Sequence, residues 1–271
     1  MNDKTTHQNW WAAIGLLLLG VVIFAVYKSL QPERLDLPDF SQIEQVDERK
    51  AAFFEFLAPI VAAENQRVLA QRERLLMLAE QLEADQALSP LHRRWMGELA
   101  ADYELDWPGE ARAQTLAALL RRIDTVPLPL ALVQAAKESG WGGSRFAREG
   151  NNLFGQWCYT PGCGIVPTQR ATDARHEVAA FDSVRQSVRR YVNNLNTHPS
   201  YRPLRELRQA ERRAGRTPTA LTLADGLILY SERREAYVED IKAILVANSD
   251  LIVEAIRATE AGASPAGAGQ T

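Results

Sequence analysis

Large apolar side chains recur at helical spacing along most of the chain. Between residues 46 and 83 they return mostly at steps of three and four, which predicts a long amphipathic helix that Pro59 should kink or divide. Ser89 is a good N-cap for a second helix that begins with Pro90, and a third helix fits residues 108–124. We therefore expect a helical N-terminal segment over residues 46–124.

The helical spacing is interrupted once, between residues 154 and 181. Turn residues dominate there, and the stretches around 155–159 and 176–181 are expected to pair as a short hairpin. A helix over residues 127–140 precedes this region and stops at Gly140. Helical patterns return over residues 182–198, 201–215, 219–227 and 234–256. The predicted fold class is mainly α (α+β), with a small β-hairpin insert.

The two ends of the chain have patterns of their own. Residues 10–27 carry no charge and would span roughly 27 Å as a helix, about the hydrocarbon thickness of a bilayer. We interpret residues 1–30 as an uncleaved N-terminal membrane anchor, with a cleaved signal peptide or a buried core helix as the alternatives. Residues 31–45 are expected to be a linker, and the low-complexity residues 261–271 a disordered tail.

Composition and charge do not identify a function. The 271 residues are 46% hydrophobic and 24% charged, as in an ordinary folded protein. The formal net charge of −3 gives no reason to expect a nucleic-acid partner. The sequence has no metal, nucleotide or organic cofactor motif, so no cofactor is predicted.

The two cysteines, Cys158 and Cys163, lie in one short turn. In an oxidising compartment they are expected to form a small-loop disulfide, and reduced thiols are the alternative if the domain faces the cytoplasm. A zinc site would need further ligands, and His176 and His198 do not supply a known spacing. No metal site is predicted.

A candidate for acid chemistry lies near the end of the helix over residues 127–140. Glu138 is on its last turn, where the helix dipole disfavours a negative charge, and aromatic residues follow in the stretch KESGWGGSRFAREGNNLFGQW. The dipole and burial among such residues would both raise the pKa of the carboxyl group. A glutamate that keeps its proton near neutral pH suits general acid catalysis. The alternative is a solvated glutamate before a glycine cap.

Residues 134–157, QAAKESGWGGSRFAREGNNLFGQW, resemble the signature of the glucosaminidase family of peptidoglycan hydrolases. One bacterial branch of that family also resembles residues 156–167, 175–205 and 230–241, so the similarity covers about residues 50–255. The resemblance implies a lysozyme-like glucosaminidase domain, which we place at residues 125–260. It also implies hydrolysis of β-1,4 bonds after N-acetylglucosamine in the glycan strands of bacterial peptidoglycan.

The resemblance also implies which groups are catalytic. The motif glutamate is Glu138, the proton donor to the leaving oxygen. The second acid of the family falls best on Glu177, on a predicted strand, with Asp173 and Glu149 as rivals. In an inverting mechanism Glu177 would activate water across a gap of roughly 6.5–9.5 Å. In a substrate-assisted mechanism the 2-acetamido carbonyl attacks, and Glu138 serves as both acid and base.

A sugar-binding cleft is expected around these acids. Pyranose rings present apolar C–H faces that stack on aromatic side chains, and amides can bond N-acetyl and hydroxyl groups. The resemblance implies an aromatic platform at two tyrosines near the C-terminal helix, with core packing as the alternative, and asparagine pairs also cap loop backbone. The predicted substrate-binding residues are Asn151, Asn152, Phe154, Gln156, Trp157, Tyr230 and Tyr237.

Two other functions fit parts of the pattern. A lytic transglycosylase also uses one glutamate before a serine, but the downstream segment expected of it is replaced here by NNLFGQW. A noncatalytic protein that binds the cell wall or acts as a scaffold is the alternative outside enzymes. The expected location is the inner membrane, with residues 10–27 in the bilayer and the catalytic domain in the periplasm, where glycan strands are its partners.

Overall fold

The computed structural model describes residues 37–84, 86–108, 113–168, 170 and 175–263. Among these residues the helices before the sheet are α1 (Val46–Glu83), α2 (Pro90–Asp102), α3 (Ala113–Arg122), α4 (Leu128–Ser139) and α5 (Arg145–Gly150). The helices after it are α6 (Val184–Thr197), α7 (Arg202–Arg213), α8 (Ala220–Ala224), α9 (Glu235–Ala247) and α10 (Ser249–Ala263). Short 3-10 helices occupy Phe40–Gln42, Pro199–Tyr201 and Asp225–Leu227. The predicted mainly α class with a small β insert is confirmed.

The small sheet lies between α5 and α6 in the chain. Its strands β1 (Trp157–Cys158), β2 (Gly164–Ile165) and β3 (Glu177–Ala179) are antiparallel in the order β1-β3-β2. The pairing of β1 with β3 matches the predicted hairpin, and β2 joins on the other side of β3. β2 approaches β3 so closely that a Cβ on Gly164 would lie 2.0 Å from the carbonyl oxygen of Val178.

The helix α1 runs through its internal proline without dividing. Proline removes one backbone hydrogen bond, which led us to predict a kink or a break at Pro59. Pro59 lies on the exposed side of α1, whereas Leu57, Ala58 and Ile60 beside it are buried. The apolar packing on both sides of the proline therefore holds one continuous helix of 38 residues, and the predicted division is wrong.

The helix α1 also contributes a buried charge. Glu64 is 1% exposed, yet its carboxylate accepts hydrogen bonds from Arg189 of α6 at 2.9 and 3.0 Å and from Arg67 at 3.0 Å. Burial alone would raise the pKa of Glu64, but the hydrogen bonds from Arg189 and Arg67 outweigh it and hold that pKa below its ordinary value. The ionised carboxylate therefore links α1 to α6.

Some predictions fall at the edges of the described structure. The predicted membrane anchor over residues 10–27 lies outside the described residues, and within them no helix is both long and apolar enough to cross a bilayer. α10 continues to Ala263, so the predicted tail is still helical at residue 261, and its last eight residues are not described. One hydrophobic core contains side chains on both sides of the predicted boundary between residues 124 and 125. That boundary stays a prediction.

Candidate active site

The end of α4 positions Glu138. The run from Leu130 to Ala136 is buried, which fixes the helix in the core, and α4 ends where Gly140 adopts a left-handed conformation with φ 56°. Ser139, also buried, accepts a hydrogen bond from the N–H of Gly142 at 2.8 Å and donates to the carbonyl of Ala135 at 2.6 Å. The turn after the acid is thus bonded back onto the helix.

Burial sets the protonation of Glu138. The side chain is half-buried, and burial raises the pKa of its carboxyl group above the ordinary glutamate value. The hydrogen bond from Tyr237 and the charge of Lys137 lower the pKa by less, so burial prevails. Lys137 is itself paired with Asp240 at 2.9 Å. The pKa of Glu138 is therefore shifted in the direction that a general acid requires.

A chain of hydrogen bonds leads from the core to this acid. Tyr191 Oη donates to Gln134 Oε1 at 2.7 Å, and Gln134 Nε2 donates to Tyr237 Oη at 3.0 Å. Tyr237 Oη then donates to Glu138 Oε1 at 2.8 Å. Because Oε1 accepts this bond, the proton of the neutral acid is left on Oε2. That oxygen faces Gly155, whose ideal Cβ position is 3.5 Å from it.

Four tyrosines surround the acid and remain neutral. Burial raises the pKa of Tyr201 to about 12 and holds those of Tyr191, Tyr230 and Tyr237 well above the ordinary tyrosine value, and the charge of Glu138 adds to the effect. The rings of Tyr230 and Tyr237 stack with centroids 5.2 Å apart. Of the four, only Tyr230 and Tyr237 are predicted site residues from the sequence. Tyr191 and Tyr201 lie in the stretch 175–205 that carries the resemblance, but no local signal in the sequence places their side chains near Glu138.

Aromatic residues from the N-terminal part of the chain support the turn after Glu138. Trp141 has a φ of 58°, and its ring meets the edges of Phe53 and Phe54 of α1 at centroid distances of 5.9 and 5.1 Å. Gly142 follows with a φ of 77°, and a Cβ there would lie 2.8 Å from Phe40. The acid-bearing turn is therefore packed against α1 and the short helix before it.

The predicted amide ligands bind backbone groups. Asn152 is 2% exposed, donates to the carbonyls of Gln156 and Ala179 at 2.8 Å each, and accepts from two backbone N–H groups. Asn151 donates to the carbonyl of Phe181 at 2.9 Å, and Gln156 Nε2 donates to a carbonyl of α6 at 3.1 Å. These contacts shape the loop around the acid. Contact of the three amides with a substrate stays a prediction.

The predicted aromatic residues divide into buried and exposed ones. Phe154 is buried and stacks on Tyr191 at 3.9 Å, and Tyr237 is buried against the acid. Tyr230 is partly buried, and its hydroxyl donates to the carbonyl of Phe154 at 3.0 Å. Trp157 is exposed. The two tyrosines therefore lie beside the acid, with much of their surface packed in the core.

Glu177 lies against a loop closed by a disulfide. Cys158 and Cys163 are bonded, and the carboxylate of Glu177 accepts hydrogen bonds from the N–H groups of Gly162 at 3.1 Å and Gly164 at 2.9 Å. These two bonds hold the pKa of Glu177 below its ordinary value, so the group is ionised. Both oxygens are thus engaged, and the catalytic role of Glu177 stays a prediction.

The other candidate groups are placed as follows. Glu149 is exposed, and Asp173 lies outside the described residues. Within the described part of the chain, one group of possible metal ligands lies close together, formed by the two cysteines and Glu177. Its sulfurs are joined in the disulfide and are not thiolates, so they do not suit zinc.

Comparisons with known proteins agree with the motif around Glu138. A family model described as glucosaminidase, "Mannosyl-glycoprotein endo-beta-N-acetylglucosaminidase", matches residues 113–249. The chain is 33% identical to "Protein bax" of Escherichia coli (strain K12) over 216 residues, which cover 80% of this chain and 76% of that protein. No solved structure matches the chain. The match over half of the chain and the relative along most of it show that this protein belongs to the glucosaminidase family, in the branch of protein bax.

Proposed function

We propose that this protein is a peptidoglycan hydrolase, an endo-β-N-acetylglucosaminidase that cleaves β-1,4 bonds after N-acetylglucosamine. Membership of the glucosaminidase family supports glycoside hydrolysis in general. The observation that carries the proposal is the placement of Glu138, a half-buried acid with a raised pKa at the end of α4. A neutral carboxyl group at physiological pH is what protonation of a glycosidic oxygen needs.

The hydrogen bonds favour one oxygen of Glu138 as the proton donor. Oε1 accepts from Tyr237, so the proton resides on Oε2, on the side of Gly155. Gly155 is exposed and has no side chain, which leaves room there for the oxygen of a glycosidic bond. In the first step Oε2 gives its proton to that oxygen, the bond to the anomeric carbon breaks, and Glu138 becomes a carboxylate. Tyr237 then donates to a charged acceptor, which strengthens its hydrogen bond.

The contacts of Glu177 favour the substrate-assisted route for the second half of the reaction. Both oxygens of Glu177 accept N–H groups of the disulfide loop, and these bonds lower its pKa, which makes the carboxylate a weaker base toward water. In the substrate-assisted route the 2-acetamido carbonyl attacks the anomeric carbon, and the Glu138 carboxylate later takes a proton from the attacking water. Glu177→Gln separates the routes. Loss of a base lowers kcat by about 10²–10⁴-fold, while loss of a loop contact leaves kcat largely unchanged.

Zymography on purified peptidoglycan tests the enzyme assignment. The chain from residue 32 should clear the substrate, and Glu138→Gln should lower the rate by at least about 100-fold while its thermal melting stays cooperative. Equal clearing by both proteins would refute Glu138 as the acid. Product analysis completes the test, because this proposal requires reducing-end N-acetylglucosamine. Anhydromuramic ends would indicate a lytic transglycosylase, and binding without clearing by either protein would indicate a wall-binding protein.

We also propose that the protein acts at the periplasmic face of the inner membrane, held by residues 10–27. The uncharged run in the sequence and the disulfide between Cys158 and Cys163, which suits an oxidising compartment, support this location. Fractionation of cells that express the full chain and a chain from residue 32 tests it. Recovery of both in the same soluble fraction would refute the anchor.

A further inference from the structure

Two aromatic side chains of the sheet region face solvent. Trp157 is 56% exposed and Tyr159 is 70% exposed, in contrast to the buried tyrosines around Glu138. They are the large aromatic side chains among the exposed apolar residues of the described structure. Trp157 lies in β1, which ends at Cys158, and Tyr159 follows directly after that strand. We call this pair, Trp157 and Tyr159, the aromatic rim.

Within the aromatic rim, both the side chain and the backbone of Trp157 are held in place by neighbouring residues. The indole of Trp157 stacks on the imidazole of His176, with centroids 4.3 Å apart and planes 13° from parallel. One face of the indole is therefore covered by His176, and the exposure of the side chain leaves the other face open. The backbone of Trp157 is paired with Val178 of β3. The indole is therefore held in a fixed orientation, with one face available to a ligand.

The rim is adjacent to the acid along the chain. Gly155 lies next to Glu138 Oε2, and Trp157 is only two residues further. Two residues span at most about 7 Å between Cα atoms, a distance comparable to the length of one pyranose unit. The backbone hydrogen bonds between β1 and β3 extend back to Gln156, whose carbonyl accepts from the N–H of Ala179 at 2.9 Å. A sugar next to the cleaved bond would therefore come within reach of Trp157.

We propose that the aromatic rim is a sugar-binding subsite, in which Trp157 stacks on the ring of an N-acetylated pyranose beside the cleaved bond and Tyr159 contacts the next ring. The inference rests on the proposed function, because it takes the glycan strand as the ligand. An indole with one open face matches the apolar C–H face of a pyranose. Gly155 lies beside Glu138 and only two residues before Trp157, and this closeness of the rim to the acid favours a glycan over a protein partner.

The disulfide loop and Glu177 order this subsite. The loop from Cys158 to Cys163 carries Tyr159, and its ends are fixed by the disulfide and by the bonds from Gly162 and Gly164 to the carboxylate of Glu177. Glu177 is opposite Cys158 in the β1–β3 pairing. We assign Glu177 as a positioning residue for the rim. Its loss should weaken glycan binding and leave proton transfer by Glu138 intact.

Calorimetric titration of the Glu138→Gln protein with a soluble β-1,4 oligomer of N-acetylglucosamine tests the subsite, because that protein does not consume the ligand. In this background Trp157→Ala should weaken binding by about threefold to tenfold, and Tyr159→Ala by a smaller factor. Trp157→Phe should restore most of the affinity. Leu91→Ala, which removes a 76% exposed side chain of α2, is the matched control and should change nothing.

The positioning role has its own readout in the active enzyme. Glu177→Gln, and Cys158→Ser combined with Cys163→Ser, should raise KM and leave kcat within about twofold. A large loss of kcat in Glu177→Gln alone would overturn the positioning role, since a base contributes about 10²–10⁴-fold. Unchanged affinity in both alanine variants of the rim, or no oligomer binding by Glu138→Gln, would overturn the subsite. Failure of the proposed function is recognised separately, when the unsubstituted chain releases no reducing ends from peptidoglycan.

Discussion

Replacing Tyr237 by phenylalanine removes one oxygen from the centre of the site. That oxygen accepts a hydrogen bond from Gln134 Nε2 at 3.0 Å and donates one to Glu138 at 2.8 Å. Gln134 is fully buried, so its N–H group is left without an acceptor, which costs about 1–3 kcal/mol. For a domain of this size each 1 kcal/mol lowers Tm by about 2–4 °C. We therefore expect Tm to fall by about 2–12 °C.

The same substitution should change the pH dependence in a defined direction. The hydrogen bond from Tyr237 lowers the pKa of Glu138, so Tyr237→Phe raises that pKa further above its unfolded value. A folded state that binds more protons than the unfolded state loses stability as pH rises. The loss of Tm should therefore be larger at pH 9 than at pH 5. The alkaline limb of kcat/KM, which reports the pKa of the acid, should move to higher pH.

Thermal melts at the two pH values and pH–rate profiles measure both effects. Leu91→Ala, which changes an exposed side chain of α2 outside the site, is the control and should leave both the Tm and the alkaline limb unchanged. Combining Tyr237→Phe with Gln134→Leu removes both partners of the buried bond. The double substitution should lower the Tm by less than the sum of the two single substitutions. An alkaline limb that stays in place or moves to lower pH would refute the hydrogen-bond assignment.

Three further predictions concern the frame around the site. Glu64→Gln should lower the free energy of unfolding by about 1.5–3 kcal/mol at pH 7. The difference should shrink as pH falls below the ordinary glutamate pKa and through the lowered pKa of Glu64, where the carboxylate of the unsubstituted chain takes up a proton; urea melts at pH 7 and at acidic pH measure this. Gly164→Ala places a methyl group 2.0 Å from the Val178 carbonyl and should cost about 1–3 kcal/mol or more. Gly262→Ala has no atom within 4 Å and lies in the last turn of α10, so it should be neutral or slightly stabilising in the same melts. A chain that starts at residue 106, and so lacks α1 and α2, should show no cooperative thermal transition by circular dichroism, and a sharp melt would contradict the shared core.

Local features of this protein were predictable from the sequence. Helical spacing and N-caps gave most helices, and Gly140 marked the end of the helix that carries Glu138, because such signals act within a few residues. The pairing of β1 with β3 followed from turn residues between two short stretches. Glu138 itself needed only its position at a helix end and its aromatic neighbours.

The long-range contacts of the site were beyond such signals. Gln134 meets Tyr191 and Tyr237, which are 57 and 103 residues away in the chain. Nothing local distinguishes Gln134 from any other polar residue on a core-facing helix. Glu177 was judged by its residue type, but the groups that bind its oxygens come from the disulfide loop, 13 and 15 residues earlier. The candidate acidic groups could be predicted from residue types, whereas their hydrogen-bond partners depended on the tertiary fold.

The region that matches the glucosaminidase family model does not contain all the side chains that pack around the helix and turn of Glu138. The match covers residues 113–249, whereas α1 lies before it. In α4 every residue from Leu130 to Ala136 is buried, and a helix buried all round must be covered on every side. α1 packs against α4, and its phenylalanines also contact Trp141, three residues after the acid. Because the orientation of Glu138 depends on that turn, α1 is a structural part of the active site and not an accessory segment.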